Sequence, residues 1–97
     1  NFNCYGAFFM IKKEITVKNE QGLHARPCGM LSNTAMRFES EIKIIKEGYE
    51  VNAKSVMGLL TLAASKGSKI TLIAVGRDEE KAVEEIEKLF ESKFDEE

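Results

Sequence analysis

Between Gly67 and Gly76 the chain runs Lys69-Ile70-Thr71-Leu72-Ile73-Ala74-Val75, a stretch rich in β-formers. This run constrains the fold more than any other, because so apolar a strand belongs in the middle of a sheet. Other segments must therefore supply its neighbours. From Ile11 to Lys18, Ile11, Ile15 and Val17 fall on one side at a period of two, which predicts a strand with one wet face. Glu41–Lys46 and Tyr49–Asn52 flank Glu47-Gly48, a tight turn that makes the pair a hairpin.

Helical spacing fills the gaps. Pro27 in a first helical turn loses no intrahelical hydrogen bond, so a helix is expected from about Ala25 to Arg37. Its apolar stripe is Met30, Leu31, Thr34, Ala35 and Phe38. Ser55 stands ahead of Val56-Met57-Gly58-Leu59-Leu60-Thr61-Leu62 as the N-cap of a short helix, ended by Lys66-Gly67-Ser68. Asp78 is expected to cap the last helix, with Glu79 and Glu80 near its positive end and Ala82, Val83, Ile86, Leu89, Phe90 and Phe94 on one face. The order is strand, helix, strand, strand, helix, strand, helix. Helices on one face of a four-stranded sheet bury these stripes together, an α+β two-layer sandwich. Tyr49, Ile42 and Ile44 read as core or sheet residues.

Ninety-seven residues make one domain, able to bury roughly 60–65% of the surface its unfolded chain exposes. A hydrophobic fraction of 43% beside 31% charged residues fits a globular chain and argues against wholesale disorder. No apolar run approaches the roughly 20 residues of a spanning helix. The net charge of −2 gives no warrant for a general nucleic-acid binder, but the charge is uneven. Residues 78–97 hold ten acidic and three basic side chains, leaving eleven basic against six acidic before them. Cys4, Cys28 and a single histidine make no zinc site, and one disulfide is arithmetically possible. The absence of a secretion signal points instead to a reduced, cytoplasmic protein. Met10 directly precedes the first strand, so residues 1–9 read as an added extension and 10–97 as the domain. A short native arm packing its phenylalanines on a neighbour is the other reading.

The chemistry concentrates in Gly22-Leu23-His24-Ala25-Arg26-Pro27-Cys28. Imidazole is a nucleophile near neutral pH. The free amides and positive end of a helix receive anions. Arg26 adds a charged, multi-donor group suited to phosphate oxygens. If His24 takes a phosphoryl group, the resulting dianion lies where these donors converge. From pattern alone, a histidine at a loop–helix junction is more often a structural or surface residue.

Two segments carry a resemblance that weighs between these readings. Gly22-Leu23-His24-Ala25-Arg26-Pro27 resembles the active-site signature, and Asn52-Ala53-Lys54-Ser55-Val56-Met57-Gly58-Leu59 the regulatory-serine segment, of the HPr family. These are the histidine phosphocarriers of the bacterial phosphoenolpyruvate–sugar phosphotransferase system. The likeness spans Met10 to about Phe94. It implies an open-faced β-sandwich (βαββαβα), with three helices on one side of an antiparallel sheet. It also implies a relay protein rather than a stand-alone enzyme. Phosphorylated enzyme I would pass its phosphoryl group to Nδ1 of His24, Arg26 would hold and orient it, and IIA domains of sugar permeases would receive it. Such a protein needs no cofactor or metal and is expected to be a monomer. The resemblance further implies that a serine kinase/phosphorylase acts on Ser55, creating a surface for a transcriptional regulator.

Met57, Leu59 and Leu60 are candidates for an apolar partner-docking patch, or else for the buried side of the short helix. Gly58 permits close approach of a partner backbone. Cys28 stands where the family usually has alanine. It is either a small residue in an alanine-sized place or, if exposed, a reactive thiol whose oxidation could obstruct His24. Asn33 and Met36 replace the basic or longer polar groups of many relatives, with Arg37 as partial compensation. Asp95-Glu96-Glu97 reads as a solvated end. Competing readings are a nitrogen-branch carrier, a regulator-only relative that lacks the active histidine, and a small RNA-binding module. The last would need exposed strand aromatics and a basic face, whereas the strands offer only Tyr49.

Overall fold

The computed structural model describes residues 10–96. Four strands and three helices follow in the expected order: β1 (Ile11–Thr16), α1 (Ala25–Met36), β2 (Glu41–Lys46), β3 (Tyr49–Asn52), α2 (Val56–Thr61), β4 (Lys69–Val75) and α3 (Glu79–Glu91). The sheet order is β1-β4-β2-β3 and every pairing is antiparallel. The run expected to be central is indeed flanked on both sides. Ile15 pairs with Ile70, and Ala74 pairs with both Ile11 and Ile42. At the β2–β3 turn Glu47 and Gly48 both have positive φ (51° and 84°), the arrangement whose twist matches a two-residue hairpin.

One face of the sheet carries the core. Ile15, Ile42, Ile44, Val51, Ile70, Leu72 and Ala74 are buried together with Leu31 and Ala35 of α1, Leu59 of α2, and Ala82, Val83, Ile86 and Phe90 of α3. On the alternate positions, Lys12, Lys43, Glu50 and Ile73 face away from the helices. This is the open-faced α+β sandwich. Residues 1–9, including Cys4, lie outside the described residues, and so does the reading of that segment as an extension.

Three expectations need correction. β1 stops at Thr16, because Val17 leaves the ladder to bond the 67–68 turn through Ser68 O and Gly67 N. Asp78 does not cap α3; its carboxylate reaches across to accept from the amides of Glu39 and Ser40 and from the Ser40 hydroxyl. Glu79 instead turns back to accept from Gly76 N at 3.0 Å. Tyr49 is a sheet residue, as expected, and lies exposed on the edge strand with its hydroxyl facing Thr61. Finally, the chain leaves α3 at Glu91, short of Phe94, which was expected on the helix's apolar face.

It makes a further turn at Lys93–Asp95, with three consecutive residues at φ 57°, 54° and 59°. Left-handed backbone is unfavourable for residues with a Cβ. Burial offsets that: Phe94 is completely buried, its ring 5.0 Å from that of Phe90 and edge-on at 72°. The turn thus sends Glu96 back over the molecule.

Candidate functional site

The loop between β1 and α1 sets the position of His24. Gly22 has φ 68°, and a Cβ there would overlap Ala64 O and lie 2.8 Å from Ser65 Cα. Leu23 N bonds Ala64 O at 2.8 Å and pulls the loop onto the segment before β4. His24 follows as the N-cap of α1, with extended backbone and no side-chain capping bond. Its carbonyl accepts from Cys28 N, and Pro27 has no amide, so Ala25 and Arg26 supply the free N–H groups at this helix start. Among the described residues neither of these two backbone amides makes a hydrogen bond.

The His24 side chain is 37% exposed. Its Nε2 lies 2.7 Å from Glu96 Oε2, while Nδ1 makes no hydrogen bond among the described residues. Arg26 donates to Phe94 O at 2.9 Å and lies 3.5 Å from Glu96 Oε2. Glu96 itself is only 17% exposed. It is held from below by Asn19, which is fully buried and whose amide donates to Glu96 Oε1 at 2.9 Å and to Gly22 O at 2.7 Å. Both acceptors are oxygens, which fixes the orientation of the amide and leaves Asn19 Oδ1 buried without a partner among the described residues. The Glu96 carboxyl is held below the usual carboxylate range, first by the Asn19 amide and then by His24 and Arg26. The acidic tail is therefore not a solvated end. A cleft of about 470 Å³ opens here, lined by Glu20, Gln21, Arg26, Asp95 and Glu96.

Ser55 caps α2 as expected, its hydroxyl accepting from Gly58 N at 3.0 Å. The preceding turn is tied to α1, because Ser32 Oγ donates to Lys54 O at 2.8 Å. Of the proposed apolar patch, Met57 (73% exposed) and Leu60 are at the surface, joined by Val56. Leu59 is not: it is fully buried in the core, so it cannot meet a partner directly. Cys28 occupies a closed core position beside Leu23 O, and burial pushes its thiol up to about 11. That is the alanine-sized place rather than a reactive site. Arg37 lies over the Phe38 ring, and Met36 is exposed at the end of α1. Among the described residues no cluster of His, Cys, Asp or Glu could hold a metal ion, and no helix is long and apolar enough to cross a membrane.

A family model described as "PTS HPr component phosphorylation site" matches residues 11–92. The chain belongs to the HPr family. Phosphocarrier protein HPr of Treponema pallidum (strain Nichols) is 43% identical over 88 residues, covering 91% of this chain and all of that relative. HPr-like protein Crh of Halalkalibacterium halodurans is 52% identical over 75 residues, 77% of this chain and 89% of the relative. The crystal structure of HPr-C-His from Thermoanaerobacter tengcongensis superposes with a TM-score of 0.87 at 45% identity, covering 90% of this chain and 98% of that one. The resemblance read from the two motifs is thereby established. This HPr-family protein is a phosphocarrier of the phosphotransferase system, with the family's antiparallel open-faced fold. Glu96 lies beyond the matched residues and carries no local pattern, so sequence reasoning missed it.

Proposed function

We propose that His24 is the phosphoryl acceptor of this protein, loaded by phosphorylated enzyme I and unloaded onto IIA domains of sugar permeases. The observation that supports this reading best is the half-exposed imidazole at the start of α1. Among the described residues its Nδ1 has no partner, and the amides of Ala25 and Arg26 stand close by in sequence. A phosphoryl group on Nδ1 meets unpaired amides, the positive end of a twelve-residue helix and the Arg26 guanidinium, all of which favour developing negative charge. Arg26 has to exchange its bond to Phe94 O for the phosphoryl oxygens. Transfer between two histidines then depends mainly on alignment and charge stabilisation, to which the helix-start amides contribute in place and Arg26 by that exchange. Met57, Leu60 and Val56 form an exposed apolar surface on α2 suited to docking the donor and the acceptor. The experiment is incubation with enzyme I and labelled phosphoenolpyruvate. Wild type takes up acid-labile label and His24→Ala takes up none; label on the His24→Ala protein refutes the assignment.

A second role rests on Ser55. The 52% identity to HPr-like protein Crh, and a solution structure of Crh described as the Bacillus subtilis catabolite repression HPr, favour a regulatory role, which we assign to this residue. A phosphate on Ser55 would sit at the start of α2 beside the exposed Met57, changing the charge of the docking surface without entering the core. A serine kinase acting with ATP should add acid-stable phosphate to Ser55, and a transcriptional regulator should bind that form. If mass mapping finds no modification there, Ser55 is a helix cap alone. His24 separates this chain from a regulator that cannot carry phosphate.

A further inference from the structure

The family match ends at residue 92, yet the group in contact with the His24 ring comes from residue 96. Three features make that contact a built one. The left-handed turn at 93–95 is pinned by a fully buried Phe94. Arg26 donates to the Phe94 carbonyl within the same turn. Asn19, fully buried, spends one amide hydrogen on Glu96 Oε1 while Oε2 faces His24 Nε2 at 2.7 Å. Buried amide, carboxylate and imidazole thus form a continuous hydrogen-bonded chain.

We propose that Glu96 is a positioning residue for His24, accepting the Nε2–H so that the neutral ring keeps its lone pair on Nδ1. A carboxylate cannot donate, so a close contact with a neutral ring requires the proton to be on Nε2. Carboxylates behind histidine ligands and general bases select a tautomer in this way. The role rests on the phosphocarrier reading given above. In the transfer, the Nδ1 lone pair forms a bond to the phosphorus of a phosphohistidine on the donor protein. The donor's P–N bond breaks and its electron pair stays on the donor ring. No proton has to move, and the His24 ring, now phosphorylated on Nδ1 and still carrying Nε2–H, becomes cationic. The Glu96 carboxylate lies against that charge, while Arg26, 3.5 Å from the same oxygen, limits its repulsion of the phosphoryl group.

The test compares wild type with Glu96→Gln and Glu96→Ala, with Glu91→Gln as a control. Glu91 pairs with Lys18 at 2.8 Å, so the control removes the same charge elsewhere. Nitrogen-15 shifts of the neutral His24 ring report its tautomer. Both Glu96 variants should raise the Nδ1–H fraction, most of all Glu96→Gln, whose amide can donate to Nε2. The phosphorylation rate at saturating enzyme I should fall about tenfold with KM unchanged, whereas Glu91→Gln changes neither readout. Labelled wild type with an unshifted tautomer in both Glu96 variants overturns the role of Glu96 alone. Wild type that takes no label overturns the phosphocarrier reading and this proposal with it.

Discussion

Replacing Phe94 with Ala tests whether the C-terminal turn is a separately held unit. The ring is fully buried against Phe90, and three residues around it adopt left-handed backbone. A Phe→Ala change in a core that cannot relax costs about 3–5 kcal/mol. Here the segment is terminal and can leave, and leaving releases three strained residues at roughly 1–2 kcal/mol each. The two effects largely offset, so Phe94→Ala should destabilise the fold by no more than about 2 kcal/mol. Phe90 lies inside α3, where no such release exists, and Phe90→Ala should show the full loss of about 3–5 kcal/mol. Urea unfolding followed by circular dichroism measures both. The Phe94 variant should also have a slightly smaller m-value, because its native state already exposes the turn. In the same variant, amide protection at 93–96 should vanish. If Phe94→Ala costs as much as Phe90→Ala with an unchanged m-value, the turn is part of the cooperative core and the reasoning fails.

Ser55→Ala should cost about 0.5–2 kcal/mol by chemical denaturation, since Gly58 N loses its acceptor at 3.0 Å; no change would show that the cap contributes nothing. Gly22→Ala and Gly48→Ala both place a Cβ on left-handed backbone, but only the first meets neighbouring atoms. The first should cost about 2–4 kcal/mol and the second about 1 kcal/mol, and equal losses would mean that φ alone matters. Asp78 has its carboxyl held below the ordinary 3.8, first by the Ser40 hydroxyl, with the amides of Glu39 and Ser40 adding to it. Its unfolded form therefore takes up protons at higher pH than its folded form. The stabilisation is complete above the ordinary value and is lost as pH falls through the lower folded one. Urea midpoints of wild type and Asp78→Asn should converge as pH falls below the ordinary 3.8, and a constant gap would refute the assignment.

Where partners lie close along the chain, most of the sequence was legible, the start of α3 excepted. A period of two marked the strands, helical spacing marked the helices, Glu47-Gly48 closed its hairpin, and Ser55 reached the amide three residues ahead. His24, Arg26 and Pro27 at a helix start are equally local, which is why the candidate site and the family could be read before any coordinates. Only the folded chain decided the rest. Asp78 passes over its own helix to bond residues 39 and 40, and Leu59 turns inward while Met57 and Leu60 turn out on the same short helix. Glu96 meets His24 across 72 positions of sequence. No residue pattern encodes such meetings, because they depend on how packed layers bring distant segments to one place. There a long-range hydrogen bond costs little extra, since burial of Phe94 has already ordered the chain that delivers it.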